Sequence, residues 1–376
     1  MKKITLATHV LSDGPAQNFL KYCIKYNFDV LYIEHPLIIN DRFKSSNIKL
    51  FKNKDIKISK SFKKINYIFL SYFLSIFKNI IYVRKYFNHP FDIYIGFNCL
   101  NVLSGIFLKK FFRIDIKKVI YLSVDYTPTR YQSFFLNLIY QSLDKYCTKN
   151  ADYCWCLSQR MIDEKNKNHQ FRNKFDYKFK IAPMGYWNIY PIKRNFSFNF
   201  LYIGNIQYHQ GFSNYIKLAK IFKDNNLIFK FDIIGDGEDI NIIKKKLNDD
   251  QLLKNFIFHG YIEKFDDLLK ISKQSSFGMA MYDTDKDPMK LINYTDSGKI
   301  KTYISLNLPF ITNYEISNWE FYKKRNCSLI DNSVDNIYES ILDIDKNNHL
   351  YDEIFKNIKN LENEFLWDNI LKKLIV

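Results

Sequence analysis

The sequence predicts an α/β protein built from two doubly wound parallel-sheet units. Three observations carry this reading. Apolar runs of about four to eight residues alternate with amphipathic helical stretches along the chain, the pattern of parallel sheets covered on both faces. The length, 376 residues, exceeds one simple core and suits two domains of about 150–200 residues each. The alternation also breaks at Tyr186–Ser197 (YWNIYPIKRNFS), where a proline and two basic residues intervene, and then it restarts.

In the first unit, 1–185, KKITLAT is an opening strand, and Asp13, Gly14 and Pro15 mark the start of the helix AQNFLKYCIKY. Strand FDVLYIE follows, then a basic-aromatic region, strand FDIYIGF, helix LNVLSGIFLKKFF and strand KKVIYLSV. A long helix from about Gln132 to Lys149 leads to ADYCWCLS, a short helix and KFKIAPMG. Residues 186–197 read as a linker. The second unit, 198–345, runs FNFLYIGN, NYIKLAKIF, FKFDIIGDG, a helix, NFIFHGYI, KFDDLLKIS, SFGMAMY, a helix opened by Ser-Gly-Lys, LPFITN, CSLI and VDNIYESILDI. Both units are therefore expected to be Rossmann-like and to face a cleft, with ligand in the cleft between them at the carboxyl ends of the strands. The tail, 346–376, is helical and is expected to pack back on the first unit.

Composition narrows the partners. Hydrophobic residues make up 47% of the chain, which excludes a disordered protein. The formal net charge of +17 favours anionic partners such as nucleic acid, anionic lipid or phosphorylated small molecules. The six cysteines form no CxxC pair, so reduced, buried thiols are expected rather than a zinc site or a disulfide framework. MKKITLATHV lacks the long apolar run of a signal peptide, which points to the cytosol. In segment 57–87 the charge-free core, Ile65–Phe77, is shorter than the ~20 residues of a membrane span. Two readings of it stand: a buried helix of the α/β layer, or a helix on a membrane surface with its basic residues on anionic headgroups.

The order FLYIGN…HQGF…LAKIF, FDIIGDGED, FIFHGYI…DDLLKIS, FGMAMY, GKIKTYISLNLPFITN resembles the carboxyl-terminal donor domain of GT-B glycosyltransferases of the group-1 kind. The resemblance covers about 196–345 in motif order, and 1–185 in architecture only. It implies transfer of a sugar from a nucleoside diphosphate sugar to a glycan or lipid-linked acceptor, as in cell-surface polysaccharide or glycolipid synthesis. The donor-binding residues it implies are Gly204, Asn205, Gly235, Tyr261, Ile262, Asp283, Ser297, Gly298, Lys299 and Tyr303. Ser297, Gly298 and Lys299 combine free backbone N–H groups, a helix dipole and a cation, the ingredients of a diphosphate cradle.

The chain also departs from the family pattern. Asn205 and Gln210 stand where the family carries basic residues beside the two glycines, and Thr302 stands where it carries Glu. Asp287 and Asp296 do not match the spacing of the family's carboxylate pair. Lys299 is then the best remaining diphosphate ligand. The loop YDTDKD, 282–287, contains Asp-x-Asp but is expected to line the donor site without a metal; no cofactor is expected. Transfer to a hydroxyl calls for a base, and the candidates on loops after first-unit strands are Asp125, Asp13 and His9, with Asp125 foremost. Segment 57–87 would then present the acceptor side of the first unit to an anionic membrane surface. Two other readings share these features: a nucleotide-sugar epimerase of the same fold, and a basic nucleic-acid-binding protein, for which no recognised motif is present.

Overall fold

The structure is a computed structural model that describes residues 1–10, 14–36, 45–63, 68–87, 90–287 and 289–375. The chain divides into two compact units, Met1–Pro183 with Leu371–Val376, and Met184–Ile370.

The first unit runs β1 (Lys3–Val10), α1 (Pro15–Lys25), β2 (Asp29–Pro36), β3 (Ser45–Lys52), β4 (Asp55–Lys63), α2 (Ile68–Tyr86), β5 (Phe91–Gly96) and α3 (Cys99–Lys110). It continues with β6 (Ile116–Ser123), α4 (Phe134–Asn150), β7 (Tyr153–Cys156), α5 (Gln159–Asn168) and β8 (Phe179–Ile181). Its sheet has the order β4-β3-β2-β1-β5-β6-β7-β8. All pairs are parallel except β2–β3 and β3–β4, so an antiparallel hairpin closes one edge. The hairpin corrects the reading of 57–63 as part of a helical segment. Ile48 and Leu50 face inward with the half-buried Lys49 between them, and Asn53 (φ 51°) and Lys54 (φ 68°) make the two-residue turn with both φ positive that suits hairpin twist.

In α2, one face of segment 57–87 is buried and the other is exposed. Asn79, Ile80 and Val83 are buried against the sheet and α3, while Leu70, Phe73, Phe77 and Ile81 form an exposed stripe, Phe73 being 58% exposed. No described helix is long and apolar enough to cross a membrane. Beneath the other end of the sheet lies an ion cluster with no solvent contact. Lys165 Nζ stands 2.7 Å from both oxygens of Asp144, whose carboxylate also contacts His169 Nε2 at 2.7 Å and accepts from the Tyr121 hydroxyl. Burial opposes ionisation of Asp144, yet Lys165 and then His169 hold its carboxyl at about 2. All six cysteines are free and buried.

The second unit runs β9 (Asn199–Ile203), α6 (Phe212–Asp224), β10 (Lys230–Ile234), α7 (Ile240–Asp249), β11 (Phe256–Gly260), α8 (Phe265–Ser272) and β12 (Phe277–Ala280). It ends with α9 (Gly298–Ser305), β13 (Phe310–Thr312), α10 (Trp319–Lys324), β14 (Ser328–Ile330), α11 (Val334–Lys346), α12 (Asn348–Lys359) and α13 (Trp367–Ile375). Its all-parallel sheet has the order β11-β10-β9-β12-β13-β14, the doubly wound arrangement in which strand order reverses between β9 and β12. The segment expected as a linker is tied down on this unit. Arg194 is buried and donates to the carbonyls of Ser272, Ser275, Leu306 and Asn307. In the tail, α12 buries Tyr351, Ile354 and Ile358, whereas Leu371–Val376 group with the first unit, where Lys2 Nζ donates to the Ile375 carbonyl at 2.8 Å.

Candidate functional site

The second unit's topological switch point lies between the carboxyl ends of β9 and β12, where a crevice opens in doubly wound sheets. Beside it is a cleft of about 530 Å³ lined by residues that include Gln210, Tyr282, Ser297, Gly298 and Lys299. Its wall is the first turn of α9. Ser297 caps the helix by accepting from Ile300 N–H at 3.4 Å, and its hydroxyl also pairs with that of Tyr282 at 2.8 Å. Gly298 is exposed, and a Cβ there would come no nearer than 4.0 Å to another atom, so its backbone faces open space.

Lys299 points across this turn toward the end of β9. Its ammonium lies 4.0 Å from the centroid of the Tyr202 ring and 5.0 Å from that of Tyr282. It donates to Gln210 Oε1 at 3.4 Å. Burial among these rings pushes it down from 10.5 to about 7. Gln210 thus accepts from a side chain supplied by α9. Gly204, at the end of β9 with φ +145°, leaves room for it: a Cβ there would lie 3.3 Å from Lys299 Cε.

The other expected donor residues separate by burial. Tyr261 is 70% exposed just beyond β11, and Ile262 packs partly against the core beneath it. Asn205 is exposed, and its carbonyl accepts from the Tyr202 hydroxyl. Asp283 pairs with Lys286 at 2.6 Å and accepts from Ser213 at 3.2 Å. Two expectations meet a structural reason instead. Tyr303 is fully buried over Gly278, and its hydroxyl bonds to the Leu201 and Met279 carbonyls and the Ile203 N–H, so it ties β9 to β12 rather than facing the cleft. Gly235 is needed for strand packing, since a Cβ there would sit 1.9 Å from the Gly204 carbonyl oxygen.

The carboxylates of YDTDKD are engaged. Asp285 meets Lys290 at 3.4 Å, and Asp287 accepts from the Met289 and Leu291 N–H groups at 3.0 Å each. Asp296 is buried, paired with Lys301 at 2.9 Å and accepting from Met184 N–H at 2.9 Å. Among the described residues, no group of three His, Cys, Asp or Glu is placed to hold a metal ion.

In the first unit, Asp125 follows β6 and is exposed, and the Arg130 guanidinium donates to its backbone carbonyl. Asp13 lies outside the described residues. His9 closes β1, and its Nδ1 takes hydrogen bonds from Asn98 Nδ2 at 3.0 Å and Asn101 Nδ2 at 2.8 Å. Burial, then the neighbouring His35, push it down to about 3. A ring so easily deprotonated is uncharged at neutral pH, and its one bare nitrogen is already occupied, so the assignment of His9 as a base is corrected. Sequence reasoning missed Asn98 and Asn101, which order that ring. It also missed the exposed Phe134, Phe135, Leu138 and Ile139 on the first turns of α4, although the FF-x-x-LI spacing was visible.

Comparison with known proteins agrees with this fold. The family profile described as "Glucosyltransferase 3-like, C-terminal domain" matches residues 216–376. No curated protein matches the sequence. Among solved structures, sucrose-phosphate synthase from Thermosynechococcus elongatus is similar at TM-score 0.71 and 13% identity, covering 100% of this chain and 97% of the other. HepE of Anabaena in complex with UDP-glucose is similar at TM-score 0.67 and 11% identity, over 100% of both chains. The lipopolysaccharide outer core galactosyltransferase WaaB is similar at TM-score 0.64 and 14% identity, over 99% of both. The chain has the GT-B fold of these glycosyltransferases, and its residues 216–376 are glucosyltransferase 3-like.

Proposed function

We propose that the enzyme transfers a hexosyl group from a nucleoside diphosphate sugar to a glycan or lipid-linked acceptor, in the synthesis of a cell-surface polysaccharide or glycolipid. The carrying observation is Lys299, a half-buried cation beside the open first turn of α9 at the switch point of the second unit. Lys299 and the backbone at Gly298 hold the diphosphate and balance the charge of the leaving nucleotide without a metal. Tyr261 offers an exposed ring to the base, and Asn205 and Asp283 offer polar groups at the rim. Asp125 takes the proton from the acceptor hydroxyl.

HepE, whose structure holds UDP-glucose, makes that compound a rational first probe. Thermal shift across nucleoside diphosphates and their sugars, with and without EDTA, tests the reading. At least one is expected to raise the melting temperature equally in both conditions. Stabilisation by none of them would remove the basis for a donor site.

The same reading places the enzyme on the inner face of a membrane, as a cytoplasmic protein. In its support, the exposed stripe on α2 and the exposed start of α4 carry large apolar side chains beside basic residues on a chain of net charge +17. Flotation with anionic vesicles is expected to carry the wild type upward. The doubly substituted Phe73→Ser, Phe134→Ser chain and charge reversal at Lys60 are each expected to remain in the dense fraction. Equal flotation of all three would remove this assignment.

A further inference from the structure

The first unit has a switch point of its own. Its strand order reverses between β1 and β5, and His9 and Asn98 sit at the carboxyl ends of those two strands. His9 there is held by a polar chain in which each member's role can be derived. Asn101 backbone N–H donates to Asn98 Oδ1 at 2.9 Å, which fixes the Asn98 amide so that its Nδ2 is the group facing His9 Nδ1. Asn101 gives its own Nδ2 to the same atom, and its Oδ1 accepts from Asn79 Nδ2 at 3.0 Å. Asn79 Oδ1 in turn accepts from His35 Nε2 at 3.0 Å, and His35 Nδ1 accepts from Ser46 Oγ at 3.0 Å.

An imidazole nitrogen that accepts two N–H donors carries no proton. The proton of the neutral His9 ring is therefore on Nε2. That N–H is shielded from solvent and has no partner among the described residues. The titratable groups facing the ring are His35 from β2, centroid to centroid 5.6 Å, and Tyr72 from α2, edge-on at 5.4 Å. A buried donor left unpaired while two amides, themselves held by a polar chain, fix its ring is the signature of a site kept for a ligand oxygen.

We propose that His9 Nε2–H is an uncharged hydrogen-bond donor to a sugar hydroxyl of the substrate, with Asn98 and Asn101 as the positioning residues that hold its tautomer. The network bars a second proton from Nδ1, so the site favours a neutral oxygen over a phosphate, which would recruit an imidazolium. The inference rests on the transferase reading for the identity of the ligand, and on the structure alone for the proton.

Two measurements on the full chain test it. In ¹⁵N imidazole NMR, His9 is expected as the Nε2–H tautomer, without titration between about pH 5 and pH 8. Asn98→Asp keeps an oxygen for the Asn101 N–H but puts an acceptor against Nδ1, and is expected to move the proton there or add a second one. A wild-type His9 that titrates in that range, or that carries its proton on Nδ1, overturns the inference whatever happens to turnover.

The second measurement uses UDP-glucose, UDP and methyl glycosides as surrogate acceptors. His9→Phe removes the donor and His9→Gln keeps one. If the hydroxyl belongs to the donor sugar, His9→Phe weakens UDP-glucose about tenfold and leaves UDP unchanged. If it belongs to the acceptor, His9→Phe raises the glycoside KM about tenfold and leaves UDP-glucose hydrolysis unchanged. In either case His9→Gln stays near the wild type. Equal behaviour of the two variants overturns the ligand assignment. A wild type that neither binds nor turns over UDP-glucose would instead count against the transferase reading with this donor, and the proton assignment would stand or fall by the NMR result.

Discussion

Replacing Lys299 by Met tests the donor site and the electrostatics behind it in one experiment. The substitution keeps an apolar stem against Tyr202 and removes the ammonium. A charge-assisted hydrogen bond to a phosphate contributes about 1.5–3 kcal/mol, so UDP-glucose affinity is expected to fall about 10–150-fold. The wild type should also show a pH signature, because burial holds Lys299 at about 7. Bound phosphate favours the charged form, so binding takes up a proton wherever the free ammonium is deprotonated. With a free value near 7, about half of the sites are charged at pH 7 and about one in a hundred at pH 9. Affinity should then fall about fifty-fold over those two pH units, provided the bound lysine remains charged. UDP-glucose suits this test because its diphosphate diester does not titrate in the range. Calorimetry in buffers of different ionisation enthalpy should register uptake approaching one proton at pH 8. The fold responds with the opposite sign. A lysine lowered in the folded state makes the unfolded chain bind more protons between its folded value and 10.5, so stability rises with pH across that window, and Lys299→Met should abolish that rise. A flat pH profile in the wild type, or a variant that binds as tightly as the wild type, would refute the placement of Lys299 on the diphosphate.

Two further substitutions test the first unit. Asp125→Asn is expected to lower turnover about 10²–10⁴-fold with UDP-glucose affinity unchanged in calorimetry, since a base acts only in the chemical step. Asp144→Asn leaves Lys165 without a countercharge in a site that has no solvent contact, and should destabilise the fold by about 3–5 kcal/mol in urea unfolding. The stability that Asp144 contributes is present above its unfolded value and should be lost in the wild type as pH falls toward about 2.

The sheets were legible in the sequence where strands are buried on both faces. The six strands of the second unit follow its apolar runs, and Pro309 falls just before β13, where its missing N–H costs no ladder bond. The β3–β4 hairpin was not legible because β4 does not alternate: Ser59, Lys60 and Ser61 are consecutive exposed polar residues, and Lys60 stands opposite buried Ile48. At the site, Ser297, Gly298 and Lys299 were recognisable because a helix start carries its signal within four residues of chain. Tyr303 and Gly235 belong to the same motifs, yet local sequence does not say whether a side chain faces the cleft or the sheet. One is a strap between strands and the other a point of strand contact.

His9 shows the deeper limit. Its neighbours in space, Asn98 and Asn101, are 89 and 92 positions away, and the roles of all three follow only from who donates to whom. A loop histidine after a strand suggests a base. The same residue, with Nδ1 filled by two amides, can only give its remaining proton. The two switch points thus carry unlike groups. In the second unit a lysine stands ready to gain charge from a diphosphate, and in the first a histidine is prevented from carrying any. A residue type therefore fixes neither role; what decides is which nitrogen the fold leaves bare.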